Sequence, residues 1–344
     1  MRLRINHSLK FLLAILGLQF LLATITALGQ GADPVKVDAQ SEQLIKGALR
    51  FLAKHQSPNG SWQGLDSKER LYPVANTAYA LIAFQACGHL PDEGEYGANV
   101  RRGMTYLLNS VSDEGLIGDQ NSGQYMYFHG IATIALAELY GQTGNRQVKP
   151  KLSRLIKVIV SSQNNEGGWR YRPIVHDADI SVTVLQVVAL RAAKNGGLNV
   201  PQKTMDEAVS YVRKCYSDRE RGFAYQPGGK PGFARTAAAI YSLQVCGKYD
   251  DPLVKAGSRY LFQKFSSHEK WFTYGNYYAA PAHYMIGGET WKKWYGLISE
   301  TLRKRVQRDG ELIYWSGDVG RIYSTAAHAT ILAMPYHYLP LYQR

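Results

Sequence analysis

The side chains best suited to chemistry sit in one short stretch, His176-Asp177-Ala178-Asp179-Ile180-Ser181. Two carboxylates this close offer an acid and a base, the resource needed to protonate a double bond or to cleave a glycosidic link. The protonating member would have to be kept neutral by burial or by a neighbouring charge. A simpler reading stands beside this one. Asp179 precedes an apolar helical stretch and is placed to cap it, with Asp177 a loop carboxylate. Asp318 is a third carboxylate that could join them, and no spacing singles out a pair. The 24 tyrosines are the other resource, because their rings could stack on sugars or wall an isoprenoid cavity, although ordinary packing accounts for them too. Tyr274, Tyr277, Tyr278 and Tyr284 share one segment, and Tyr336, Tyr338 and Tyr342 share another with Pro335 and Pro340 that is expected to pack back over the domain. The three cysteines, Cys87, Cys215 and Cys246, fit neither a disulfide framework nor a zinc cluster. No metal or cofactor is expected.

The elements that would position these groups follow from an internal repeat. Thr77, Thr183 and Thr236 each open an apolar, small-residue helix, and Gly130 holds the same place before Ile131. Positions 77, 130, 183 and 236 are each separated by 53 residues. Thr325 opens a further copy, and another lies near Tyr278 to Tyr284. Between them run amphipathic helices, over 43–54, 99–109, 151–161, 205–215, 254–265 and 289–306. Most end in a turn with Gly60, Gly115, Gly167, Gly222 or Gly310, and Lys270-Trp271 stands there in the fifth copy. A helix without a polar face must be buried on both sides. Six such helices in a ring, each backed by an amphipathic one, satisfy that. The last apolar helix carries no polar capping face, which favours a closed ring over an open solenoid. Little of the chain reads as strand.

The chain has 344 residues, 45% of them hydrophobic, enough for a large core. Arg2, Arg4 and Lys10 precede an apolar run from Phe11 to Ala27, and Ala27-Leu28-Gly29 supplies small residues for cleavage. Residues 1–29 therefore read as a secretory signal, with an uncleaved anchor as the alternative, 30–40 as a linker and 41–344 as one domain. Export to the periplasm or cell envelope is expected. The formal charge is +13, but the cations are spread along the amphipathic helices without interleaved aromatics. That pattern excludes a nucleic-acid surface in favour of a solvated face and leaves a membrane surface open as a contact.

The turn after the first amphipathic helix is specific. Lys46-Gly47, Phe51-Leu52, Gln56, Gly60 and Trp62 match the Q-x-x-x-G-x-W repeat, and Gln163, Gly167 and Trp169 give a second copy in phase with the 53-residue period. The chain resembles the prenyltransferase and squalene-hopene cyclase repeat superfamily. The resemblance implies an all-α fold, an α/α toroid of about six inner and six outer helices. Gln56, Gly60, Trp62, Gln163, Gly167 and Trp169 read as structural. In such a toroid the inner helices start near the mouth of a central cavity, so Asn76, His129, Ser181 with Val182, Arg235, Tyr277 with Tyr278, and Tyr323 with Ser324 are the candidate ligand-binding residues. The catalytic candidates are Asp177 and Asp179. The family's protonating D-x-D-D-T is incomplete here, because Ile180 follows Asp179 and helix phase puts Ser181 where the acid should be. The zinc set of the protein prenyltransferases is missing as well, with Arg235 and Ser324 where a His would stand and no D-x-C. The resemblance thus implies an exported protein that binds a ligand, such as an isoprenoid or other hydrophobic small molecule, or another envelope protein, without the family's catalytic site. An isoprenoid cyclase-like enzyme and a carbohydrate-active α/α barrel are the alternatives.

Overall fold

The computed structural model describes residues 35–67, 69–267 and 270–343, so the expected export signal lies outside the described residues. Twelve α-helices alternate between two layers among the described residues. The outer layer is α1 (Ala39–Lys54), α3 (Gly97–Asn109), α5 (Val148–Ser161), α7 (Gln202–Lys214), α9 (Pro252–Lys264) and α11 (Gly288–Arg305). The inner layer is α2 (Pro73–Ala86), α4 (Tyr125–Thr143), α6 (Ile180–Asn195), α8 (Phe233–Val245), α10 (Phe272–Ile286) and α12 (Arg321–Ala333). Each inner helix packs on the next, and α12 returns to pack on α2, so the ring closes. Among the described residues, strand is limited to two short hairpins, Tyr216–Ser217 with Gly222–Phe223 and Gln307–Asp309 with Leu312–Tyr314.

The layers follow from side-chain pattern. Every residue of α4 from Phe128 to Leu139 is buried, and small residues let its neighbours approach. A Cβ on Gly130 would lie 2.7 Å from the Leu185 side chain. The outer helix α1 buries one stripe, including Leu44, Ile45, Ala48, Leu49 and Leu52, and turns its charges outward.

The recurrent threonine has a concrete task. Thr77 Oγ1 accepts the backbone N–H of Trp62 at 2.9 Å, Thr183 that of Trp169 at 3.1 Å, Thr236 that of Phe223 at 2.9 Å and Thr325 that of Trp315 at 3.1 Å. The indole N–H groups of Trp62, Trp169 and Trp315 each donate to a carbonyl of the preceding outer helix, on Leu52, Ile159 and Leu302. Each connection is thus pinned to an inner and an outer helix of its own repeat. Where Gly130 replaces the threonine, the Tyr125 hydroxyl accepts the N–H of Ile117 instead, at 2.7 Å. Gln56 and Gln163 are structural. Their Nε2 groups donate to Gly60 O and Asn99 O, and to Gly167 O and Thr204 O, joining each turn to the next outer helix. Gly167 is needed twice over: its φ is +98° and a Cβ would sit 2.1 Å from Glu207 O. Gly222, expected in the same role, is instead a strand residue, and Arg221 takes the left-handed φ of 59°.

Ring closure uses a group that no motif marks. Glu69 is fully buried, and burial raises its pKa against the bonds it accepts. Its carboxylate accepts from Leu65 N–H at 3.0 Å and, across the closure, from Tyr323 N–H in the first turn of α12 at 2.9 Å. Outside, Arg303 pairs with Asp38, and Arg50 with Glu311 at 3.0 Å. The C-terminal run packs back, as its composition implies. The turn Pro340–Tyr342 lies against α4, α6 and α10, with Leu341 and Tyr342 buried and Leu341 N–H donating to Glu138 Oε2 at 3.2 Å.

Candidate functional site

The middle of the ring is occupied by side chains. Tyr79, Tyr277, Tyr278, Tyr323, Tyr241 and Tyr342 are all buried. Ring centroids lie 5.3 Å apart for Tyr79 and Tyr277, 4.7 Å for Tyr79 and Tyr323, and 5.4 Å for Tyr277 and Tyr278. Burial pushes all of these phenols up, so they stay protonated. Tyr277, Tyr278 and Tyr323 therefore fill the interior and do not line an open mouth. The sequence phase misplaced the fifth inner helix. A short 3₁₀ turn over Phe265–Ser267 replaces the longer loops of other repeats, and α10 starts at Phe272. Tyr277 and Tyr278 consequently lie more than a turn inside, and Tyr274 takes the rim position.

The rim itself gathers around Asp179. This residue caps α6: Oδ1 accepts Val182 N–H at 3.0 Å and the Ser181 hydroxyl at 2.6 Å. Its Oδ2 faces Arg170 Nε at 3.2 Å. The side chain is wholly buried, and that burial raises its pKa despite help to the anion from Ser181, Val182, Tyr225 and Arg170. Arg170 also pairs with Asp177, whose carboxylate accepts Gln226 Nε2 at 3.0 Å. Tyr127 donates to Ser181 Oγ at 2.5 Å and Tyr274 to the Ser181 carbonyl at 3.0 Å. Tyr171 and Tyr225 join their hydroxyls, and the Arg170 guanidinium lies 4.8 Å from the centroid of one and 5.6 Å from that of the other. Tyr127, Tyr171, Tyr225, Tyr274, Ser181, Arg170, Asp177 and Gln226 all keep partial exposure. The product is a partly exposed polar patch edged by tyrosine rings, offering ring faces, a guanidinium and carboxylate, and an amide.

Of the candidate residues, the structure brings Asp177, Asp179 and Ser181 together here. It disperses the others. Asn76 is buried and donates to the Glu69 carbonyl at 3.0 Å, bracing the closure. His129 does not reach the mouth. Its nitrogens meet Tyr125 Oη at 3.2 Å and Leu155 O on the outer helix at 3.0 Å, and burial lowers its pKa to about 4, so it is a neutral brace. Ser324 is buried beneath Gly317, where a Cβ would lie 2.5 Å from its Oγ. Arg235 lies apart on the rim and donates to Lys230 O at 2.7 Å. Cys87, Cys215 and Cys246 are unbridged, and burial pushes each thiol up to about 12. Sequence reasoning missed Tyr171 and Tyr225. The available signal was their place two residues beyond Trp169 and Phe223 in the same period.

No family model matches the chain. Solved structures do. A cellobiose 2-epimerase from Bacillus thermoamylovorans is 14% identical, with 85% of this chain and 97% of that one covered at a TM-score of 0.64. A GH76 alpha-mannanase from Bacteroides thetaiotaomicron is 11% identical, with 86% and 96% covered and a TM-score of 0.65. The type II terpene cyclase MstE from Scytonema is 15% identical, with 87% and 99% covered and a TM-score of 0.57. At these identities the likeness is one of fold, and the fold is the α/α toroid.

Proposed function

We propose that this chain is a carbohydrate-binding α/α toroid whose ligand rests on the rim patch of Tyr127, Tyr171, Tyr225 and Tyr274. The observation that carries this reading is the division of the ring into a filled interior and a polar aromatic rim. A sugar ring has apolar C–H faces that stack on tyrosine, and hydroxyl edges that bond to paired groups such as Arg170, Asp177 and Gln226. A polyprenyl chain needs an apolar cavity, and Tyr79, Tyr277, Tyr278 and Tyr323 take that space. Several toroids of similar fold bear names of saccharide enzymes, which supports the ligand class. Binding is favoured over cleavage. A glycosidase pair flanks the scissile bond from two sides, whereas Asp177 and Asp179 share one guanidinium and Asp179 is wholly buried. Export, read from residues 1–29, would place this patch in the cell envelope or beyond it.

The test is an oligosaccharide panel titrated calorimetrically against the protein and its Tyr171→Ala and Tyr225→Ala variants. A bound saccharide whose affinity falls about tenfold in either variant is the expected result. If no saccharide binds while native mass spectrometry finds a co-purifying isoprenoid, the reading is wrong.

A further inference from the structure

One feature of the rim belongs to neither the tyrosine patch nor the core. Between repeats four and five lies a groove of about 230 Å³, lined by Phe233, Arg235, Tyr260, Lys264, Lys270 and Trp271 among others. Trp271 is 47% exposed, whereas Trp62, Trp169, Trp291, Trp294 and Trp315 are all buried. Its backbone is left-handed, with φ at +60°, and its N–H donates to Asp318 Oδ2 at 3.0 Å. A bulky aromatic residue rarely adopts this conformation, and when its surroundings hold it there the strain commonly marks a binding site. Burial would explain such a residue in a core, but this one faces water. The groove's lining is positive, although two carboxylates lie by it, Asp318 on the Trp271 N–H and Glu220, whose charge acts on Tyr260. Arg235, Lys264 and Lys270 line the groove, none of its described lining residues is acidic, and no ion pair among the described residues engages these three cations. Lys264 Nζ lies 5.9 Å from the Tyr260 ring centroid, and Arg235 commits one donor to Lys230 O. Three cations beside an exposed indole make a surface for a ring that carries negative charge.

We propose that this groove is a subsite for an acidic saccharide, with Trp271 stacking on the pyranose face and Arg235, Lys264 and Lys270 holding its carboxylate or sulfate. The inference rests on the carbohydrate reading above and deepens it by naming acidic saccharides as the ligand class.

The experiment uses the full protein, with galacturonate oligosaccharides and their methyl esters as the paired probes and inorganic sulfate as the control anion. The acid form should perturb the emission of Trp271, the one exposed indole, and bind about tenfold tighter than the ester at low salt, with the gap closing as salt screens it. Trp271→Ala, and separately Lys264→Ala with Lys270→Ala, should erase that preference. Because these side chains lie at the surface, the variants should keep the wild-type melting temperature. Equal binding of acid and ester that survives Trp271→Ala but not Tyr171→Ala would sink the groove and keep the tyrosine patch. An acid preference that sulfate alone competes away fully at equal concentration would also overturn the proposal, because the groove would then hold an anion and not a sugar. Failure of every saccharide to bind would overturn both readings.

Discussion

Glu138 is a carboxyl group built into the ring wall where the chain's end docks, and it should make stability pH-dependent in a defined direction. Only 2% of the residue is exposed, and burial pushes its pKa up to about 8, against the one bond it accepts from Leu341 N–H. Below the ordinary value of 4.5 both folded and unfolded chains carry the proton. Between 4.5 and about 8 only the folded chain holds it, so folding takes up a proton and stability falls as pH rises. Above about 8 the contribution is gone. That interval corresponds to about 4–5 kcal/mol of folding free energy. Glu138→Gln keeps an acceptor for Leu341 and never ionises. Urea denaturation of the two proteins at 25 °C should give matching stabilities near pH 4.5 and a variant that pulls ahead by several kcal/mol toward pH 8. Other titrating groups cancel in the difference between the curves. Parallel curves from pH 5 to 8 would refute the reasoning, since they would mean that Glu138 is ionised in the folded protein.

Three further outcomes are expected. Thr183→Val should cost about 1–3 kcal/mol in the same urea assay, because the Trp169 N–H loses its acceptor in a buried setting, and Thr183→Ser should restore most of it. Gly167→Ala should cost about 2–4 kcal/mol, combining a left-handed backbone with a Cβ pressed on Glu207 O, whereas Gly144→Ala, with φ at +61° and open space around it, should cost about 1 kcal/mol by thermal melting. Glu69→Ala should open the joint between α2 and α12, seen as faster amide exchange at Tyr323 and Leu65 ahead of other repeats, with Glu69→Gln much milder.

The architecture was legible because its signal is periodic. Six small-residue apolar helices, the first four at a 53-residue spacing, each backed by an amphipathic partner, leave few ways to bury both faces. The site was legible only where a local pattern marks it. Asp179 as a helix cap follows from its place before Ile180, and Gln56 and Gln163 as braces follow from their spacing to Gly and Trp. Tyr277 and Tyr278 were put at the rim because the apolar pattern resumes at Tyr278, and nothing local shows that α10 begins six residues sooner after a shortened connection. His129 has the right position along α4 but the wrong azimuth, a matter decided by the Leu155 carbonyl on another helix. Glu69 and Glu138 were invisible for a related reason. Their partners, Tyr323 and Leu341, are more than 200 residues away in sequence, and a buried acid with a distant amide partner leaves no local trace.

The clasp at Glu69 has a consequence for how this molecule comes apart. In an open stack of repeats the outermost units have one neighbour each, so they fray first and unfolding creeps inward. Here the first and last repeats are joined by Glu69 to Tyr323, Asp38 to Arg303 and α2 to α12, and no repeat is outermost. Rupture at any joint creates two raw faces at once and leaves the crowded tyrosines at the hub without a wall, so partial opening wins little chain entropy for a large exposed area. While that clasp holds, the ring therefore behaves as a keyed arch, in which the six units stand or fall as one.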